Sequence, residues 1–248
     1  MKIIEKKFTK EHLNSCEEIK KYSNERFSLN PVNNICLILQ KLKDLKNIEG
    51  DYVECGTYRG STLIPTALYS SITGFFKNKK LIGIDTFNGF PVEEHDERDL
   101  PSYFKILYQS KLITKDHYNK AKKRTNNFES LLHLENKYFL DIKEIFDICS
   151  LFPNVSLLKG TFQELTPKFD RKISILYLDG DLFESYLVCL NNLYQKVTTG
   201  GVIIFDEYYS HKYPGARVAV DEFFENKIGY FEKYITKEGH ERWCFVKH

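Results

Sequence analysis

Short apolar runs closed by an acid or a glycine alternate with helically spaced apolar stripes along most of this chain. DYVECG (51–56), LIGID (81–85), VSLL (155–158), ISILYLD (173–179) and VIIFD (202–206) read as five strands. ISILYLD is apolar on both faces, as a strand buried in a parallel sheet should be. Between them, 61–75, 184–197 and 218–226 carry the helical period. The tail segments YFEKYI and ERWCFVKH read as two closing strands. Strand–helix alternation predicts an α/β fold with a doubly wound, mostly parallel, seven-stranded sheet.

Residues 1–48 read as a helical extension and 49–248 as the α/β domain. Thr9 is an N-cap candidate for a helix to about Tyr22, and Asn30–Pro31 starts another. Ile35, Ile38, Leu39, Leu42 and Leu45 form an apolar stripe that covers the sheet or pairs two chains as a homodimer. One stretch breaks the alternation: about 91–137 is polar, basic and aromatic, with weak helical signals after Pro101 and Thr114. An insertion of that length is expected to serve the site as a lid.

Composition narrows the class. Lys and Arg number 36 against 34 Asp and Glu, a net charge of +2, without the basic excess of a dedicated nucleic-acid binder. No apolar run reaches the roughly 20 residues of a membrane span. Lysines interrupt the opening MKIIEKKFTKEH, so no signal-peptide core is expected and the location expected is cytoplasmic. Six cysteines show no C-x-x-C spacing and are expected as reduced, buried thiols.

Ligands of open α/β sheets sit outside the carboxyl ends of the strands. There the first strand delivers Glu54, then Gly56, Thr57, Tyr58, Arg59, Gly60 and Ser61. The second delivers Asp85, Thr86 and Phe87; the third Gly160, Thr161 and Phe162. The fourth delivers Asp179 and Asp181, and the fifth Asp206 and Glu207. The turn ECGTYRGS is glycine-rich but is not G-x-G-x-x-G, which weakens a dinucleotide reading. Asp85 suits the paired hydroxyls of a ribose. Asp179, Asp206 and Glu207 together suit a hard cation such as Mg²⁺, and Asp181 stands near enough to take a proton from a substrate. Helix capping is the plain alternative for Asp181 and the reading adopted for Glu184. His95, His117, His133 and His211 show no metal-ligand spacing and are expected to pack in loops or lie at the surface. Arg26 and Arg59 could meet a carboxylate or solvent, and Trp243 is expected in the core.

ECGTYRGS, DTFNGFP, LKGTFQELTP, LYLDGDLFES and GGVIIFDEYYS, in that order, resemble the macrocin O-methyltransferase family, from about Gly50 to Lys227. The resemblance implies a class I, Rossmann-like fold, S-adenosylmethionine and Mg²⁺ as cofactors, and methylation of a sugar hydroxyl. The acceptor would be a nucleotide sugar, a surface glycan or a glycosylated natural product. Asp179, Asp206 and Glu207 would be metal ligands and Asp181 the general base. Glu54 and the turn through Ser61 would hold the methionine part, Asp85 the ribose, and Gly160–Thr161–Phe162 the adenine. Dimers with contributing N-terminal helices are also implied. Where the family carries a double aspartate, this chain has Asp206–Glu207. A catechol-type methyltransferase, a nucleotide-dependent oxidoreductase and a non-catalytic binding protein are the other readings.

Overall fold

A computed structural model describes residues 2–8, 10, 14, 19, 32–91, 96–129, 142–236 and 239–248. The strands are β1 (Ile3–Lys6), β2 (Asp51–Cys55), β3 (Leu81–Asp85), β4 (Val155–Lys159), β5 (Ile173–Leu178), β6 (Val197–Phe205), β7 (Gly229–Ile235) and β8 (Glu241–Lys247). The helices are α1 (Val32–Asp44), α2 (Leu63–Thr73), α3 (Tyr103–Gln109), α4 (Lys115–Arg124), α5 (Ile142–Ser150), α6 (Phe162–Leu165), α7 (Phe183–Leu193) and α8 (Pro214–Phe224). The sheet order is β1-β7-β8-β6-β5-β2-β3-β4. Pairing is parallel except where β8 lies antiparallel between β6 and β7. The doubly wound, mostly parallel α/β fold is as expected.

The sheet has eight strands rather than seven. Ile3–Lys6 pairs in parallel with β7, in a stretch read from sequence as helical. IIEK is short and charged, and only one of its four residues is even half-buried, so it carries none of the alternation that marks a covered strand. Lys10, Asn14 and Ile19, the described residues of the expected helix from Thr9 to Tyr22, are helical, and Ile19 is buried. The Thr9 cap, the Asn30–Pro31 start, Arg26, His95 and His133 lie outside the described residues.

Two apolar layers sandwich the sheet. On one face Val53, Cys55, Leu176, Leu178, Ile203 and Phe205 meet α7 and α8. On the other Tyr52, Leu81, Ile175, Tyr177, Val202 and Ile204 meet α1 and α2. Ile35, Ile38, Leu39 and Leu42 are 0–2% exposed. Of the two roles expected for the stripe, it takes that of covering the chain's own sheet. Trp243 is buried in β8, as expected. Cys55, Cys149, Cys189 and Cys244 are free and buried, as expected. Cys36 departs from the reduced state expected of it, being disulfide-bonded; sequence spacing contained nothing that singled it out. No helix among the described residues is long and apolar enough to cross a membrane.

Beneath α1, Lys41 reaches the carboxylate of Glu232 on β7, both side chains at most 6% exposed. Burial works against the charge on each. For Lys41, attraction to Cys244, Tyr234 and Glu232 outweighs it and raises the ammonium above its ordinary value. For Glu232, Lys41, Tyr234 and Lys6 hold the carboxyl below the usual range. A depressed carboxyl stabilises the fold above its unfolded value and loses that contribution as pH falls through the folded one. Glu232→Gln is expected to cost about 3–5 kcal/mol at neutral pH, as removal of one partner from a buried pair does. Denaturant melts should show the gap between variant and wild type narrowing as pH is lowered below about 4.

Candidate active site

The register of the central strands aligns their ends. Cys55 pairs with Leu178, and Leu178 with Phe205. Backbone bonds carry the ladder one step further, Asp179 N–H to Cys55 C=O and Asp206 N–H to Leu178 C=O, both 2.9 Å. Gly56, Asp179 and Asp206 thus leave the sheet at one level, where the chain order reverses between β2 and β5. Gly56 has φ 97°, and a Cβ there would lie 1.9 Å from the Asp179 carbonyl oxygen. Only glycine lets the two strand ends approach so closely.

A first cleft opens over β2 and β3. Of the residues expected at a cofactor, Gly56, Thr57, Tyr58, Ser61, Asp85, Thr86, Phe162 and Asp179 line it, and so does Asp181. Its space, counted out to the open mouth, is about 900 Å³, within the span of small-molecule sites. Asp85 organises its rim. The carboxylate accepts from Tyr58 N–H at 2.7 Å and from Phe87 N–H at 2.6 Å. Both donors belong to residues in the left-handed region, at φ 45° and 51°, a conformation held only when its surroundings enforce it. Burial raises the Asp85 carboxyl while those donors pull it down.

Six expected residues do not line this cleft. Arg59 is exposed and stacks on Tyr58, 5.2 Å from its ring centre. Gly60 packs under Ile64, and Phe87 is buried against Phe146. Gly160 bonds back to Asp85 C=O at 3.0 Å, and Thr161 caps α6 in a capping box with Glu164. Glu54 also stays out, fully buried below the turn, with Oε2 accepting from Tyr52 at 2.6 Å. Its Oε1 is buried without a partner, and burial pushes the carboxyl up to about 8. Gly89, Phe90, Pro91, Gly180 and Ser185 line the cleft unforeseen. Phe90 and Pro91 could have been found in FNGFP, since an apolar pair just past a strand's acid has no sheet to cover.

A second cleft adjoins the first at Asp179 and Asp181, which line both. Here Asp179, Asp181 and Glu207 each bring a carboxylate oxygen within 4.8 Å of the others. Asp206 lines the same cleft, but its Oδ1 is engaged by Tyr177 O–H at 2.7 Å and by Arg242 Nη1 at 3.3 Å. Tyr177 O–H also stands 3.3 Å from Asp179 Oδ2. Tyr186 O–H lies 2.6 Å from Glu207 Oε2. Tyr177 and Tyr186 were not singled out from sequence; Tyr177 was legible only as the residue two before Asp179 on the same strand face. Burial first, and then mutual repulsion, pushes Asp179 and Glu207 well above the ordinary carboxyl range. Asp181, also raised by burial, is drawn back by Lys212 and pushed up by Asp206, Asp85 and Asp99, to about 8. Such a set either holds protons or needs a cation.

The insertion reaches this centre. Its two expected helices are present as α3 and α4, with Thr114 capping α4 through His117 N–H. Asp99, fully buried, accepts from Phe183 N–H at 2.8 Å. Phe183 opens α7 two residues after Asp181, which is itself at φ 61°. Arg98 lies over the Phe183 ring, 3.4 Å from its centre. Gly215 admits Asp99, since a Cβ there would stand 2.0 Å from Oδ1. His117 is buried rather than at the surface, its Nε2 2.7 Å from Ser210 C=O. His211 and His240 line the second cleft.

The doubly wound sheet is shared with methyltransferases of solved structure. The O-methyltransferase NovP superposes with a TM-score of 0.57 at 22% identity, over 88% of this chain and 81% of that one. CalS11, a calicheamicin methyltransferase, gives 0.53 at 18%, over 96% and 93%. The macrocin-O-methyltransferase (TylF) family model matches residues 33–230, and the chain belongs to that family. Demethyldecarbamoylnovobiocin O-methyltransferase of Streptomyces niveus is 28% identical over 180 residues, 71% of this chain. That match spans only 59% of the relative's length. Mycinamicin III 3''-O-methyltransferase of Micromonospora griseorubida is 24% identical over 225 residues, 89% of this chain and 78% of that one.

Asp99 yields a direct check. Asp99→Ala strips the acceptor from a buried N–H and should destabilise the fold by about 1–3 kcal/mol. Asp99→Asn keeps an acceptor oxygen and should restore most of that loss in thermal melts.

Proposed function

We propose that this chain transfers a methyl group from S-adenosylmethionine to a hydroxyl of a sugar-bearing acceptor, assisted by Mg²⁺. The observation that carries the reading is the meeting of the two clefts at Asp179 and Asp181. A methyl donor in one cleft and an acceptor in the other would face each other across these carboxylates. Family membership supports the sulfonium cofactor.

The residues fit both groups. Asp85 and the Gly56–Ser61 turn would hold the cofactor's ribose and methionine, and the orphaned Glu54 Oε1 has acceptor capacity for an ammonium. Asp179 and Glu207 would hold the Mg²⁺, with Asp206 beside them, anchored by Tyr177 and Arg242. Bound there, the ion would supply a Lewis acid that lowers the pKa of the acceptor hydroxyl. Asp181 takes the hydroxyl proton, its raised pKa suiting a proton acceptor near neutrality. Bound in the first cleft, the sulfonium would supply an electrophilic methyl group to the deprotonated hydroxyl oxygen, the new C–O bond replacing the carbon–sulfur bond, whose electron pair would stay on the neutral thioether. In-line geometry is what the adjoining clefts contribute.

Calorimetry should detect S-adenosylhomocysteine at micromolar affinity or better, about −8 kcal/mol, and Asp85→Ala should weaken it. No heat at high protein concentration sinks the reading. In a mass-spectrometric assay over a panel of sugar acceptors, EDTA should abolish methylation and Mg²⁺ restore it. Asp181→Asn should keep cofactor and metal binding yet lose about 10² to 10⁴ in rate. Asp206→Ala should instead weaken metal affinity and recover part of its activity at high Mg²⁺. Full turnover in EDTA, with Asp181→Asn active, would return the cluster to helix capping.

A further inference from the structure

The second cleft has groups that the proposed proton and methyl transfers leave unused. Besides its carboxylates, it is lined by Arg124, Lys212, His211 and His240. Arg124 makes no ion pair among the described residues. The Lys212 ammonium has Tyr213 O–H as its hydrogen-bond partner, at 3.1 Å. Arg124, which is exposed, and Lys212 line one cleft with the two imidazoles. Lys212 is lowered by burial and again by Arg124, against the pull of Asp181. His211 is lowered by burial, then by Lys120 and Arg124, against Asp116. Like charges held close in a recess are relieved by an anion.

The segment that supplies Arg124 is itself one-sided. From Tyr103 to Arg124 there are seven Lys and Arg against a single acid, Asp116, in a chain whose whole excess is +2. This is not a detached solvated helix. His117, 2% exposed, binds α4 to the loop after Glu207 through Ser210 C=O. Its ring also packs on Tyr209 at 4.4 Å and His211 at 4.9 Å. The anchorage holds Arg124 on the cleft wall.

We infer that the acceptor is a phosphorylated sugar, its hydroxyl among Asp179, Asp181 and Glu207 and its phosphate or diphosphate on Arg124 and Lys212. This rests on the methyl-transfer reading, whose acceptor it specifies. A guanidinium and an ammonium supply more donors than a lone carboxylate would use, whereas a diphosphate can accept from all of them. The imidazole N–H groups of His211 and His240 add neutral donors.

The test titrates the full chain, saturated with Mg²⁺ and S-adenosylhomocysteine, with inorganic pyrophosphate, uridine diphosphate, glucuronate and methyl glucoside. Pyrophosphate and uridine diphosphate should bind at least tenfold more tightly than either sugar. Arg124→Ala and Lys212→Ala should each weaken them roughly tenfold or more, as loss of a charged hydrogen bond does, with S-adenosylhomocysteine affinity unchanged. Tighter binding of uridine diphosphate than of pyrophosphate supports a nucleotide-linked sugar. Equal binding supports a sugar phosphate or lipid diphosphate whose phosphoryl group alone is read. Methyl glucoside or glucuronate binding as tightly as the diphosphates overturns the inference. Diphosphate affinity indifferent to both substitutions also overturns it, because the anion would then meet only the metal. Failure of S-adenosylhomocysteine to bind defeats the methyltransferase reading instead, and the diphosphate titrations of wild type and variants still decide this one.

Discussion

Carboxylate repulsion at the carboxyl edge of the sheet is the constraint around which the rest is arranged. Two unit charges 4 Å apart cost about 1 kcal/mol in water and about 4 kcal/mol at the effective dielectric of a protein surface. Asp179, Asp181 and Glu207 lie within 4.8 Å of one another, and Asp206 adds a fourth charge to the same cleft. Asp206, Glu207 and Asp181 are moderated by different elements, and Asp179 shares Tyr177 with Asp206. Tyr177 from β5 and Arg242 from β8 hold Asp206, Tyr186 from α7 meets Glu207, and Lys212 attracts Asp181. A packed sheet needs none of these acids, which marks their cleft as a candidate functional site.

Keeping the acids together depends on backbone more than on side chains. Parallel pairing of β2, β5 and β6 in one register brings the strand ends level. Gly56 lets the β2 turn pass against Asp179. The left-handed φ of Asp181 turns the chain from β5 toward α7. That turn is then gripped from outside by Asp99, which belongs to the insertion rather than to the sheet. The segment that looked least like the fold is thus bonded to the turn that carries Asp181.

What was legible in the sequence divides along the same line. Strands buried on both faces, such as ISILYLD, declare themselves because Ser174 alone breaks the apolar run before its closing acid. The acids that end them were equally visible, since each falls one or two residues past an apolar run. The edge strand Ile3–Lys6 was not visible, because an exposed edge asks for no apolar alternation. Arg242, Lys212 and Arg124 were not visible either. They join the site from a closing strand, a loop and an inserted helix, and only tertiary packing brings those three together. Gly160 and Thr161 show the converse: a motif read as ligand-facing serves a strand end and a helix cap.

The two clefts therefore differ in how they are built. The first is made from consecutive turns after β2 and β3, short-range structure in which Asp85 holds two neighbouring N–H groups. Its shape is set once the sheet forms, and a shared cofactor suits such a site. The second draws its lining from α4, the β5 and β6 ends, the loop after β6 and the β7–β8 hairpin. Each of those segments can change length or charge without disturbing the sheet's register, because loops tolerate change that a buried ladder does not. Under the proposed reading, the lining of the acceptor cleft can change while the methyl-donor cleft keeps its shape. Arg124, at the end of the inserted α4 and tied down through His117, joins the insertion to the carboxylate cleft.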